Sequence, residues 1–171
     1  MRYAVLRVRS RAATAGILQI GWQSLACALG RGGIRARKRE GDGGTPRGTW
    51  HLRSVLYRAD VSGRPLTALP VRRLQRHDGW CDAPGDRNYN RPVRHPYPAS
   101  AERLWREDRL YDVVVVLDHN ARPRVRGGGS AIFMHVAREG FQPTEGCIAL
   151  RRADLCKVLR AMHRRSRLIV P

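Results

Sequence analysis

The sequence lacks several features that would decide its class at once. No stretch approaches the run of about 20 apolar residues that a helix needs to cross a bilayer, so a membrane-spanning helix is not expected. No segment repeats another, and lysine is nearly absent, with only Lys38 and Lys157 in 171 residues. A chain of this length can build one domain with a real core and is too short to argue for two. We therefore expect a single domain over residues 1–171.

Acidic side chains are also scarce. The chain carries 33 lysine and arginine residues against 14 aspartate and glutamate residues, which gives a formal net charge of +19. The arginines are spread along the chain and are not gathered in one tail. Such a charge indicates an anionic partner: nucleic acid, acidic phospholipid headgroups or an anionic wall polymer. Arginine bias can also follow from nucleotide composition, so the charge alone does not choose among these partners.

Alternating and β-branched runs predict a chain made mostly of strands, a β-rich α+β class. The predicted strands cover residues 3–9, 17–21, 25–29, 50–57, 112–118, 131–136 and 168–170. Ser100 is expected to cap a short helix over residues 101–107, and an apolar face at helical spacing predicts a second helix over 153–163. The proline-rich stretch from about 60 to 98 is expected to be an irregular binding loop or lid.

The N-terminal segment raises the question of a signal peptide. Arginines near the start precede a run of small and apolar residues, but Thr14, Gln19 and Gln23 interrupt that run. Residues 3–9 alternate as a strand does. We therefore interpret the segment as part of the folded domain, with no convincing signal peptide, and a removed signal is the alternative.

A histidine and a cysteine stand beside two short apolar runs. His135 lies near the end of the first run, and Cys147 follows Gly146 in a turn before the second. A thiol attacks as thiolate, and a nearby imidazole is its usual activator. Because glycine lacks Cβ, Gly146 permits a sharp turn, and the N–H groups of Gly146 and Cys147 could face a developing oxyanion. The alternative is a buried, inert cysteine beside a hydrogen-bonded histidine.

The block Thr144-Glu145-Gly146-Cys147, with His135 upstream, resembles the signature of the L,D-transpeptidase catalytic domain (YkuD-like) family. In that family a Ser/Thr-His-Gly-Cys block carries the nucleophile and an upstream histidine is the base. The resemblance extends in the right order to residues 40–50, 78–82, 88–90 and 111–115. It implies a small sheet-rich fold, sandwich-like or barrel-like with two or three short helices, and a catalytic site without a cofactor.

Two departures from the family pattern affect the expected site. Glu145 stands where better-known members have histidine, and Ala149 stands where they have arginine. Either Glu145 or a backbone carbonyl is therefore expected to orient the base, and a substrate carboxylate must be held from elsewhere. Polar and aromatic loops supply the candidate substrate contacts, which are Lys38, Trp80, Asp82, Tyr89 and Asn90.

The remaining cysteines and histidines suggest weaker alternatives. With Cys147 kept as a free thiol, three cysteines remain, which argues against a full disulfide framework but leaves one bridge, such as Cys27–Cys81, open. The cluster at residues 77–82 has metal-ligand residue types without a second paired cluster. His119 with His135 and Cys147 could form a zinc set, but the Gly-Cys turn favours a nucleophile, so no metal is expected.

The resemblance implies a cysteine acyltransferase that joins peptidoglycan stem peptides through a thioester in the periplasm or cell envelope. A carboxypeptidase or amidase using the same Cys–His pair and water is one alternative. A basic module that binds nucleic acid or an anionic polymer is an alternative from a different class. As an enzyme, the protein is expected to have no nucleic-acid partner, and an anionic envelope polymer remains a candidate partner.

Overall fold

Strands dominate the computed structural model, which describes residues 1–171. Its helical elements are α1 (Arg152–Ala161) and one 3-10 turn (Glu139–Phe141), so a single α-helix replaces the two or three that were expected. The strands, in chain order, are β1 (Tyr3–Arg7), β2 (Ala15–Ile20), β3 (Gln23–Ala28), β4 (Ile34–Arg35), β5 (Thr45–Pro46), β6 (Gly48–Tyr57), β7 (Val71–Arg73), β8 (Asp78–Cys81), β9 (Pro92–Arg94), β10 (Ala101–Arg103), β11 (Val113–Leu117), β12 (Phe133–Val136), β13 (Ile148–Leu150) and β14 (Arg167–Val170).

Most of the long strands close into a barrel. They follow the order β11-β12-β13-β3-β2-β1-β14-β6, and β6 pairs back onto β11. β6 can close the ring because it is ten residues long: its first part pairs with β14 and its second part with β11. A closed ring leaves fewer strand edges open to other chains. The predicted β-rich, barrel-like fold is confirmed.

The central strand β11 is buried on both faces. Val113 and Val115 pack into a core of 25 residues, whereas Val114 and Val116 pack into a second core of 10 residues. Burial on both faces explains the unbroken apolar run that the sequence shows there. The larger core also takes in the apolar face of α1. The smaller core contains Cys147 and supports the candidate site from beneath.

The helix predicted over residues 101–107 is wrong. β10 stands there and pairs antiparallel with β8, with Glu102 opposite Trp80. Sheet pairing prevails because β8, already paired with β9 on one side, offers a free edge on the other. Leu104, just beyond β10, becomes fully buried in the smaller core. The stretch from 60 to 98 is likewise not wholly irregular, since it supplies β7, β8 and β9.

Two of the predicted elements are present in the structure, one helix and one strand. The second predicted helix is confirmed as α1, which the Met162 N–H closes by donating to Val158 C=O. The first predicted strand is confirmed as β1, between β2 and β14.

All four cysteines are free thiols, so the Cys27–Cys81 bridge does not form. The structure contains no helix with the length and apolarity required to span a bilayer.

Candidate active site

Parallel pairing of β12 with β13 brings His135 and Cys147 together. Met134 lies opposite Ile148 and His135 opposite Ala149. Successive side chains of a strand point to opposite faces, and Met134 and Ile148 both pack into the larger core. His135 and Cys147 each stand one position away from those core residues, so they share the other face. Both line the same pocket.

The turn that carries the thiol is held by Thr144. Its hydroxyl donates to the Cys147 carbonyl at 2.7 Å and accepts from the Gly146 N–H at 3.2 Å. The Thr144 N–H donates to the Leu29 carbonyl at 2.8 Å, which ties the turn to the end of β3. Thr144 thus fixes the backbone around Cys147.

Gly146 occupies a conformation that only glycine adopts readily. Its φ is +133°, and a Cβ at this position would lie 2.8 Å from the Gly44 carbonyl oxygen. The glycine-rich segment around Gly44 therefore packs directly against the turn before Cys147. This contact joins two segments that are a hundred residues apart in the chain and that both carried the family resemblance.

Cys147 is a buried, protonated thiol in the resting site. Its Sγ donates to the Ala131 carbonyl and accepts from the Phe133 N–H, both at 3.3 Å. Burial, with a smaller contribution from the negative charge of Glu102, raises the pKa of the Cys147 thiol to about 12. Desolvation disfavours the charged form, so the resting thiol keeps its proton.

His135 is a neutral imidazole with a defined tautomer. Its Nδ1 lies 2.8 Å from the Val136 carbonyl oxygen, which can only accept, so Nδ1 carries the proton and Nε2 has a free lone pair. Burial lowers the pKa of His135 to about 4. The carbonyl of Val136, and not Glu145, therefore orients the imidazole. An imidazole in this state can accept a proton at neutral pH.

One backbone donor beside the thiol remains available for an oxyanion. The Cys147 N–H makes no hydrogen bond to a protein acceptor, whereas the Gly146 N–H is bound to the Thr144 hydroxyl. The pair of donors expected from the sequence is thus reduced to the Cys147 N–H in the resting structure. A preorganised backbone N–H is the kind of group that stabilises a tetrahedral oxyanion.

A pocket of about 360 Å³ opens at Cys147 and is locally acidic in a chain of net charge +19. Its two arginines both face Asp108, with Arg106 Nη2 at 2.5 Å and Arg138 Nη2 at 3.9 Å from the carboxylate. The carboxylates that line it are Glu40, Asp82, Glu102 and Glu145. Negative charge inside a cavity attracts a cationic group of a ligand.

Two of the pocket carboxylates, Glu102 and Asp82, have buried surroundings. The Tyr111 hydroxyl donates to Glu102 Oε1 at 2.5 Å, and the Tyr111 ring meets the His135 ring edge-on at 5.2 Å. Burial raises the pKa of Glu102, although the hydrogen bond from Tyr111 and the positive charge of Arg106 oppose this shift. Asp82 Oδ1 is buried without any hydrogen-bond partner in the protein. Among the pocket carboxylates, Asp82 is therefore the one with a buried oxygen that no protein donor satisfies.

The structure places the other predicted contacts outside the pocket. Lys38 Nζ binds Asp42 at 2.5 Å, and its side chain is 5% exposed. Trp80 Nε1 donates to Asn90 Oδ1 at 2.9 Å, and the same oxygen accepts from the Ala131 N–H at 3.2 Å. Asn90 thereby supports Ala131, whose carbonyl accepts the hydrogen bond from Cys147 Sγ. Of the five candidates, only Asp82 lines the pocket.

Tyr89 and Glu145 also have partners other than Cys147 and His135. The Tyr89 hydroxyl donates to Glu40, which in turn accepts from Ser130 at 2.8 Å. Both carboxylate oxygens of Glu145 lie 2.9 Å from Arg31 Nε, at the exposed edge of the pocket. Tyr89 thus fixes a carboxylate of the pocket wall, and Glu145 forms a surface ion pair.

Sequence reasoning missed Glu102, Arg106, Tyr111 and Arg138 as pocket residues. Glu102 was hidden by the wrong helix prediction, because a helix would not have fixed it opposite Trp80 on β8. Tyr111 did carry a signal, since it begins one of the segments that resembled the family. No pattern in the sequence pointed to the two arginines.

No three histidine, cysteine, aspartate or glutamate side chains converge in a way that could hold a metal ion. His119, a candidate for a zinc set with His135 and Cys147, contacts the Gly128 carbonyl through Nε2 at 2.9 Å. It also stacks edge-on against Trp50, with ring centroids 4.9 Å apart. It does not line the pocket at Cys147.

Comparison with protein families matches the L,D-transpeptidase catalytic domain (YkuD) over residues 11–170. The chain belongs to this family. No curated protein and no solved structure gives a significant match. L,D-transpeptidase domains act on peptidoglycan, which implies a place of action at the cell envelope. The match spans both the glycine-rich segment near Gly44 and the Cys147 turn that it packs against.

The protonation state of His135 can be tested directly. Because burial lowers its pKa to about 4, the ring should stay neutral from pH 5 to pH 8 and take up a proton only near pH 4. Histidine side-chain NMR of the wild type and of His135→Gln, which identifies the signal, measures this midpoint. A midpoint near the ordinary value of about 6.5 would contradict the neutral resting pair.

Proposed function

We propose that the protein forms peptidoglycan cross-links through a thioester on Cys147, with His135 as the base. The observation that carries this proposal is the shared face of β12 and β13, which presents the thiol and a free imidazole lone pair to one pocket. Family membership supplies the substrate class. The nucleophile and base assignments rest on these geometric and chemical arguments.

Because the thiol and the imidazole are both neutral at rest, the thiol must lose its proton as its sulfur attacks. As a donor stem peptide enters, the Cys147 thiol turns from the Ala131 carbonyl and passes its proton to His135 Nε2 while Sγ bonds to the peptide carbonyl carbon. The Cys147 N–H then donates to the oxyanion. Collapse breaks the peptide C–N bond, and the imidazolium gives its proton to the leaving amine. The product is a thioester with a neutral imidazole again ready as base.

The second half runs through the same groups. An acceptor amine attacks the thioester carbonyl, and His135 takes the proton that the amine loses. The C–S bond breaks, and the proton returns to the departing thiolate of Cys147. Two moderate barriers thus replace one direct exchange between amides. Water in place of the amine would give hydrolysis, so the acceptor decides between cross-linking and carboxypeptidase activity.

The acidic pocket favours an amine as the acceptor. Asp82 has a buried oxygen without a partner, and the pocket arginines are engaged by Asp108. An ammonium group entering the pocket would be attracted to the Asp82 carboxylate and concentrated beside the thioester, and it attacks as the free amine after releasing one proton to solvent, whereas neutral water is not concentrated by the charge. This electrostatic difference supports cross-linking over hydrolysis.

Replacing the nucleophile tests the proposed chemistry. Cys147→Ala should abolish the formation of cross-linked muropeptides from sacculi, since no other thiol lies in the pocket. Cys156→Ala, a matched loss of a half-buried thiol on α1, should leave cross-linking at the wild-type level. Muropeptide profiles by liquid chromatography and mass spectrometry measure both. Cross-linking by Cys147→Ala at the wild-type rate would refute the assignment.

Neutralising Asp82 tests the choice of acceptor. Asp82→Asn keeps the size and removes the charge, so the KM for an amine acceptor should rise about tenfold, the equivalent of about 1.4 kcal/mol. Asp154→Asn on α1 is the matched control, because that carboxylate pairs with Lys157 away from the pocket. Acceptor titrations at saturating donor provide the measurement. An unchanged acceptor KM in Asp82→Asn would remove Asp82 from acceptor binding.

A further inference from the structure

A second cavity, distinct from the pocket at Cys147, is lined by arginines without any carboxylate. It has a volume of about 310 Å³ and lies between β6, β7 and the loop that follows β11. Its charged lining residues are Arg53, Arg72, Arg91, Arg122 and Arg124. The pocket at Cys147 is acidic and this cavity is basic, so the two select ligands of opposite charge.

These arginines are largely unpaired within the protein. Arg72 has Asp78 as an ion-pair partner at 2.7 Å, and the other four have none. Arg124 Nε is buried without a hydrogen-bond acceptor. Burial, then the neighbouring charges of Arg91 and Arg122, lower the pKa of Arg124. Like charges gathered in one cavity repel one another, and an anion bound among them would relieve that repulsion.

The remaining wall of the cavity is partly apolar and fixed. The Trp80 ring lines it and is held by the hydrogen bond from its Nε1 to Asn90, while Pro92 and Leu117 add apolar surface. Planar guanidinium groups bind phosphate oxygens in pairs of hydrogen bonds, and an aromatic ring packs well against a small carbon skeleton. The cavity therefore offers contacts for both parts of a phosphate ester.

We propose that this arginine-lined cavity binds a phosphate ester carried on a glycerol or sugar unit. The ligand chemistry is that of a phosphate-bearing envelope polymer or of an anionic phospholipid headgroup. A cavity of about 310 Å³ holds one such unit, and its single tryptophan cannot stack a series of nucleobases. The site does not use Cys147, so it is independent of the proposed cross-linking reaction.

The test compares two double variants that lose the same charge. Arg91→Gln with Arg124→Gln removes cavity arginines, and Arg2→Gln with Arg160→Gln removes arginines that lie elsewhere. Calorimetric titration with sn-glycerol 3-phosphate at fixed ionic strength should show binding to the wild type and to the control. The cavity variant should bind at least about tenfold more weakly. Thermal melts check that each variant is folded, and Cys147→Ala should bind as the wild type does.

Two further arms identify the source of the ester. Binding of poly(glycerol phosphate) that is lost in the cavity variant supports a wall polymer. Loss of binding to phosphatidylglycerol–phosphatidylcholine vesicles in the cavity variant supports a lipid headgroup. The proposal is overturned if the wild type does not bind sn-glycerol 3-phosphate, or if both double variants weaken equally. It is also overturned if a thymidine oligonucleotide binds through these arginines and the small ester does not.

Discussion

The parallel pairing of β12 with β13 is the constraint on which the candidate site depends. It sets His135 opposite Ala149 and puts Cys147 on the same face, one residue before β13 begins. A shift of one residue in this register would place the two side chains on opposite faces of the sheet. The Thr144 hydroxyl and the close contact of Gly146 with Gly44 then fix the turn that leads into β13. Barrel closure through β11 and β6 holds this pair of strands in place.

Burial imposes a second constraint, on the charges of Cys147 and His135. The same packing that positions the thiol and the imidazole removes water from both, so the pKa of Cys147 rises and that of His135 falls. The pair rests neutral, and in the proposed mechanism charge develops only when substrate brings the oxyanion to the Cys147 N–H. A buried neutral thiol is also less exposed to oxidation than a thiolate would be. The pocket is locally acidic, although the chain as a whole is strongly basic. The pocket therefore attracts cationic groups, whereas the rest of the surface attracts anionic ones.

The sequence predicted the longer strands of the barrel and α1 because each is encoded locally, by alternation or by helical spacing. It failed at β10, since pairing with the free edge of β8 outweighs the local preference of residues 101–107. It also could not place Lys38, Trp80 and Asn90, whose partners are distant in the chain. Polar loop residues look alike in sequence whether they face a substrate or brace the backbone behind it.

The most direct measurement of the chemistry is the covalent intermediate itself. Protein incubated with a donor stem peptide and no amine acceptor, then quenched in acid, should gain the mass of the acyl group, and peptide mapping should locate it on Cys147. His135→Ala should accumulate this adduct more slowly by about 10²–10⁴-fold, the usual contribution of a general base. An adduct on another residue, or turnover of the donor without any adduct on Cys147, would contradict the proposed mechanism.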